Sequence, residues 1–280
     1  MFFRKHREKE LRTILRAEGH GRMSFLVGTA HFFPYSFRES FVRLFHDAET
    51  VFFEGPLDEE NMAAVVRAGS GEADSPHLFD ALDRSTIAKI TDAIAPVCKD
   101  RQALLLFDIL SPRVENPAYA MVKGMRPWLA FFTLFSRFLQ KKGWKYSVDM
   151  EAYQIATEMG KKLVFLESIE EQIAVLESLD HDRIIDFLRR IEHWDRYTDR
   201  YADWYLAGDL EKIKSNPFGF PTRHPLVIDH RDEILWERLK PYVQQGGAVA
   251  CLGAPHLVGV GTLMRSEGYA VERHQRCADE

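Results

Sequence analysis

Two segments far apart in the chain share one pattern, and it limits the fold more than anything else in the sequence. Ser24–His31 reads SFLVGTAH and Ala248–His256 reads AVACLGAPH. Each is a short apolar run that stops at glycine, with histidine three residues further on. Runs of this length, rich in Val, Leu and Ala and bounded by glycine, read as buried strands. In an open α/β sheet, ligand sites lie outside the carboxyl ends of the strands, so both histidines fall on the rim where such a fold does its chemistry. Gly28 and Gly253 allow a tight turn or a close backbone approach there. Two more apolar runs end in an acid: Thr50–Phe53 precedes Glu54, and Leu163–Leu166 leads into Glu167.

Two imidazoles and two carboxylates are therefore expected on one rim, although they are distant in sequence. Such a set suits a divalent metal, with an open coordination position that acidifies a bound water. The same groups also serve as general base and general acid without a metal. Both chemistries remain open at this point.

Between these runs the pattern is mostly helical. Phe41, Leu44 and Phe45 recur at helical spacing within Phe37–Ala48, so the opening reads strand, helix, strand, which favours parallel pairing. Asp58 to about Gln140 is helical, with breaks at Gly69–Pro76, Pro96 and Ser111–Pro117. Pro127 sits in the first turn of a further helix. Ser147–Met150 leads into a helix over Glu151–Met159 that Gly160 ends, and Ile169–Leu179 reads as another. Asp182–Gly208 reads as one long helical region, Leu257–Glu267 as a short helix, and Tyr269–Glu272 as a final strand. The expected architecture is α/β: a mixed or mostly parallel central sheet built from two Gly-x-x-His-bearing halves. Residues 1–280 form one domain in this reading, with a large helical insertion at about 58–145.

Composition removes several function classes. The hydrophobic fraction is 46 % and the charged fraction 28 %, globular values that rule out disorder as the main state. A net charge of −5 argues against a nucleic-acid partner, which favours a basic stripe. Cys98, Cys251 and Cys277 show no CxxC spacing, so reduced thiols in a cytoplasm fit better than disulfides or a cysteine zinc site. Met1–Glu10 is charged and lacks the apolar core of a signal peptide, and Ala278–Glu280 carries no membrane tail. Ala103–Leu110 and Trp128–Leu139 are the most apolar stretches, both short of the roughly 20 residues that span a bilayer. No integral membrane segment is expected.

Other features read as structural. Trp194, Tyr197, Tyr201 and Trp204 or Tyr205 form a core stripe at helical spacing. Asp195, Asp199 and Asp203 mark a solvated face. Gly259-Val260-Gly261 lacks the third glycine of a dinucleotide loop, and no serine sits in a G-x-S-x-G elbow.

Taken together, LVGTAHFFP (Leu26–Pro34), VFFEGPLD (Val51–Asp58), GMRPWLAFF (Gly124–Phe132), Ser147–Gln172, WYLAGDLE (Trp204–Glu211) and Leu252–Arg273 resemble the TraB/GumN family. That family is similar in motif to the Tiki metalloproteases, the erythromycin esterases and ChaN-like proteins. The resemblance implies a hydrolase-like site acting on a peptide or small-molecule substrate. His31 and His256 match the motif histidines, and Glu54 the acid after the second strand. Glu167 and Gln172 match an E-x-x-x-x-Q block, and Asp149 a G-x-D element whose glycine is Ser147 here. The implied metal site is His31, Glu54 and His256, holding manganese or cobalt, with zinc as a third candidate. Glu167 is a further ligand or proton shuttle, and Gly28, Asp149, Gln172 and Gly253 support the site. An Arg-Asn pair before the last strand is Arg231-Asp232 in this chain, a departure that lowers the expectation for Arg231. The alternative implied by ChaN-like and pheromone-shutdown relatives is a haem-, iron- or peptide-binding regulator that uses the same rim without catalysis.

Overall fold

In the computed structural model, residues 8–19, 21–71, 77–95, 116–215 and 217–274 are described. The stretch Ala103–Leu110, the expected breaks at Pro96 and Ser111, Cys98, Cys277 and the C-terminal tail lie outside them. The fold is α/β, with helices packed around a six-stranded mixed sheet of order β4-β3-β5-β2-β1-β6. The strands are β1 Ile14–Gly19, β2 Arg22–Thr29, β3 Thr50–Phe53, β4 Lys162–Phe165, β5 Val249–Gly253 and β6 Ala270–Arg273. Pairing is parallel from β4 through β2, and β1 is antiparallel to both its neighbours.

β2 and β3 lie in one parallel set, but β5 stands between them and pairs with both. The late segment of the chain thus fills the centre of the sheet. Its Val249–Leu252 is buried throughout, as a strand covered on both faces should be. Register sets Thr29 opposite Gly253, so the two Gly-x-x-His turns leave the sheet side by side. β1 is an element that the apolar runs do not announce. It forms a hairpin with β2 in which Gly19 faces Arg22, and Gly21 adopts a φ of +71° that glycine accommodates readily.

The helices lie where the pattern places them, with two differences. Asp182–Gly208 is not continuous: His181–Arg189 and Trp194–Ala207 are separate helices joined by a 3₁₀ turn at Ile191–His193. The break lets Trp194 pack edge-on to Phe135 at 5.2 Å while Tyr197, Tyr201 and Tyr205 stay buried. Trp204 is only partly buried. The acidic face is solvent-exposed, and the Lys142 ammonium lies 2.9 Å from Asp195 and 2.8 Å from Asp199. The second difference is a long helix, Pro225–Gln245, which carries Arg231 and Asp232 to the sheet rim.

Among the described residues, no helix is long and apolar enough to cross a membrane.

Candidate active site

The rim is built by short-range geometry at strand ends. Glu54 follows β3, and its main-chain carbonyl accepts from the Glu167 amide at 2.7 Å, so the two acids leave β3 and β4 together. The Gly253 amide donates to Glu54 Oε2 at 2.8 Å. A Cβ on Gly253 would stand 3.1 Å from that oxygen and 3.4 Å from His256 Cδ2, so close approach is what the glycine provides. Gly28 has the same role: a Cβ there would lie 3.0 Å from Thr13 Cβ and 3.1 Å from Ala254 Cα. Its carbonyl accepts from Thr13 Oγ1 at 2.8 Å and from the Tyr205 hydroxyl at 2.5 Å, which fixes the turn leading to His31. Gln172 packs its amide against Gly55, where any side chain would collide with it, and so braces the Glu54 turn.

Arg231 is at the centre. Its guanidinium bridges Glu54 and Glu167, with Nε 2.9 Å from Glu167 Oε1 and Nη2 2.6 Å from Glu167 Oε2, and a further contact from Nη2 to Glu54 Oε1. Nη1 lies 3.4 Å from His256 Nε2. That Nε2 is 3.8 Å from Glu54 Oε1. On the other side of the ring, His256 Nδ1 is 2.6 Å from Asp232 Oδ1. A carboxylate on Nδ1 fixes the proton there and leaves Nε2 as an acceptor facing the site. Lys214 compensates Asp232, with Nζ 3.3 Å from Oδ2, and also reaches Asp229 at 3.0 Å. Asp232 can enter because residue 259 is glycine: a Cβ there would sit 1.7 Å from Asp232 Oδ2.

The first histidine has the same kind of partner in a different setting. His31 Nδ1 contacts Asp149 Oδ2, and Asp149 is held in turn by the Ser147 hydroxyl and by the Met150 amide at 3.0 Å. Ser147 caps the helix Val148–Glu158, and its hydroxyl also reaches Asp149. The His31 side chain is 87 % exposed and that of Asp149 11 %.

These contacts set the charges. Asp149 raises the His31 pKa to about 9, and Glu54 adds to the rise. Burial pushes Glu54 up, but the Arg231 guanidinium, His256 and the Gly253 amide outweigh it and hold the carboxyl at about 2. Asp149 is likewise held low against burial, by His31 and its hydrogen bonds. Burial opposes the charge on Arg231, yet Glu54 and Glu167 raise its pKa further. One guanidinium thus bridges Glu54 and Glu167.

The model of the TraB/PrgY/gumN family matches residues 13–273. This chain belongs to the TraB/PrgY/gumN family. It is also 27 % identical to YbaP of Escherichia coli (strain K12), a protein described as uncharacterized, over 142 residues. That alignment covers 49 % of this chain and 54 % of YbaP, and the YbaP of Shigella flexneri gives the same figures. The chain thus aligns with about half the length of these relatives.

Within this family member, the rim brings together His256, Glu54 and Glu167, with His31 close enough for its charge to act on Glu54. Asp149 touches His31, Gln172 packs on Gly55, and Gly28 and Gly253 allow close approaches at their strand ends. The ligand set expected for a metal is not presented as one. The Arg231 guanidinium already occupies the space between the two carboxylates and faces His256 Nε2. A divalent cation would have to share that space with a fixed positive charge. Among the described residues, no group of three or more His, Cys, Asp and Glu is arranged to hold a metal ion. Arg231, for which the expectation was lowered, contacts both acids. Asp232, Lys214 and Gly259 are further site residues that sequence reasoning missed. The Arg231-Asp232 pair was the available signal, because aspartate in place of asparagine keeps an acceptor for His256 and adds a charge.

Proposed function

We propose that this rim is a hydrolytic site for peptide or other acyl bonds that works by acid–base chemistry at two histidines. The observation that carries the reading is the His256 ring, 3 % exposed, with Nδ1 on Asp232 and Nε2 facing Arg231 and Glu54. In this reading His256 Nε2 takes a proton from water as the water oxygen bonds to the substrate carbonyl carbon. Asp232 stabilises the imidazolium that forms, and Lys214 Nζ lies against the other oxygen of Asp232. Arg231 Nη1 faces the developing oxyanion, while its other donors remain on Glu54 and Glu167, so its position is preorganised. His31, protonated at neutral pH, stands at the exposed side and gives its proton to the leaving group. The carbon–leaving-group bond breaks, and both histidines re-equilibrate with solvent.

The test is a peptide- and ester-library screen on chelator-treated protein. Hydrolysis that falls by about 10²–10⁴-fold in His256→Ala supports the reading. Activity that appears only after manganese or cobalt is restored would replace it with the metal-dependent one. Peptide binding with no turnover of any library member would move the protein to the non-catalytic binding class.

A further inference from the structure

The two edges of the sheet are finished differently. At one end, β6 exposes the charged residues Glu272 and Arg273, and the Arg265 guanidinium covers its edge by donating to the Val271 carbonyl at 3.2 and 3.1 Å. At the other end stands β4, which pairs with β3 and, among the described residues, with no other strand. The Lys162 and Leu166 amides donate to the Glu49 and Phe53 carbonyls at 3.0 and 2.9 Å. Alternate residues of a parallel strand bond to the same neighbour. Leu163 and Phe165 therefore turn their amides and carbonyls away from β3, and none of those four groups bonds to a described residue.

Aromatic side chains flank this edge on both faces. Phe165 is 38 % exposed and lies 6.4 Å from the Tyr153 ring. Tyr242, also 38 % exposed, packs at 4.7 Å on Phe52, whose side chain leaves β3 on the face opposite to Phe53. Open main-chain donors and acceptors between apolar flanks are a template for one more strand. The chemistry of the edge specifies its occupant. Four main-chain groups match an extended backbone, and aromatic surfaces on the two faces match its alternating side chains. The edge is also continuous with the candidate site. β4 runs straight into Glu167, whose carboxylate lies 2.6 Å from Arg231. Arg238 Nη1 donates to the Leu166 carbonyl at 2.6 Å and closes the edge at that point, so an added strand leaves it beside the rim.

We propose that β4 is the docking edge for an extended peptide substrate, which joins the sheet as a seventh strand and passes from Phe165 across the rim toward His256. The added strand would stand three strand spacings, about 14 Å, from β5, a distance that about four extended residues cover. With about three residues on β4 itself, the peptide must be about seven residues or longer. This deepens the hydrolytic reading and rests on it for turnover alone; docking stands by itself.

The test uses a fluorescent ten-residue peptide of alternating threonine and valine, and the same peptide N-methylated at its four central residues so that both of its edges lose donors. Hydrogen exchange read by NMR should show the Leu163 and Phe165 amides exchanging freely in the protein alone and protected once the peptide saturates it. The Val164 amide, which faces β3, should be protected throughout. Phe165→Pro removes an outward donor at a position where an edge strand tolerates proline, and Phe165→Ala is its control for the lost ring. Both the N-methylated peptide on wild type and the unmodified peptide on Phe165→Pro should bind about tenfold more weakly than the unmodified peptide on wild type and on Phe165→Ala, respectively. Absence of saturable binding, equal binding by Phe165→Pro and Phe165→Ala, or equal binding of the two peptides overturns the proposal. If Phe165→Pro melts well below Phe165→Ala, the comparison of the two peptides on wild type decides. Protection of the Leu163 and Phe165 amides without peptide, rising with protein concentration alongside a dimer in sedimentation, would give the edge to a second copy of the chain and also overturns it. Docking without cleavage of any peptide leaves the edge standing and defeats the hydrolytic reading, whereas peptide cleavage at equal kcat/KM by Phe165→Pro and Phe165→Ala does the reverse.

Discussion

The two Gly-x-x-His segments are near copies in sequence and opposites in setting. Both histidines leave neighbouring parallel strands, and both place Nδ1 on an aspartate. Yet His31 is 87 % exposed, whereas His256 is 3 % exposed and its partner Asp232 4 %. The same local chemistry therefore gives two different groups. The exposed ring can be a standing cation, because water and Asp149 both stabilise its charge. The buried ring is held by contacts that fix its tautomer and aim Nε2. What separates them is the helix Pro225–Gln245, which places Asp232 on the His256 ring and Arg231 beside it.

The largest test of this asymmetry removes the charge that the buried half depends on. Arg231→Met should destabilise the fold by about 3–5 kcal/mol, because it leaves buried Glu167 and partly buried Glu54 without their counter-charge. Denaturant unfolding at neutral pH measures this, and a loss under about 1 kcal/mol would show that the bridge is solvated after all. A smaller effect is expected from Gly259→Ala. The added methyl meets Asp232 Oδ2, so the aspartate must swing from His256 or the helix His256–Ser266 must shift, at about 1–3 kcal/mol. NMR of the His256 ring protons would show the change, while the His31 resonances stay in place.

The acid limb separates the halves by pH. Glu54 is depressed from 4.5 to about 2, so its stabilising contribution is present above pH 4.5 and is lost as pH falls through 2. Unfolding curves of wild type and Glu54→Gln should converge across that window. His31 gives the smallest effect and the opposite sign. Its pKa is raised from 6.5 to about 9, so its contribution is complete below pH 6.5 and gone once pH has risen through 9. With so exposed a ring, screening keeps this below about 1 kcal/mol. An imidazole titration by NMR reads it directly: His31 should titrate near pH 9 in wild type and drop toward its ordinary value in Asp149→Asn. A wild-type midpoint near 6.5 would remove the standing cation from the mechanism.

Much of this arrangement is legible in the sequence because strand ends are local. Leu26–Gly28, Val51–Phe53 and Val249–Gly253 are apolar runs with a reactive residue just beyond, and a parallel sheet gathers their ends without further instruction. β1 is less legible, since Ile14, Leu15 and Ala17 are buried while Arg16 and Glu18 are exposed, a pattern too short to stand out. The helix Pro225–Gln245 is hidden for a more instructive reason. Its core-facing positions are Ile228, Asp232, Leu235, Trp236, Leu239 and Val243. The functional aspartate occupies the second place of that stripe and interrupts its apolar period, and Pro241 punctuates it again. The departure from pattern that obscures the element is the residue that orients His256.

The central position of β5 also has a consequence for biosynthesis. On the ribosome, β2 and β3 emerge early, but the strand that joins them is made some two hundred residues later. Until it arrives, both present unpaired backbone edges flanked by apolar side chains, the usual template for aggregation. Sheet closure must wait for this distant segment, which makes folding slow. Any nascent chain cut before Val249 would keep a gap in its sheet and lack His256, so the step that completes the structure is also the step that completes the site.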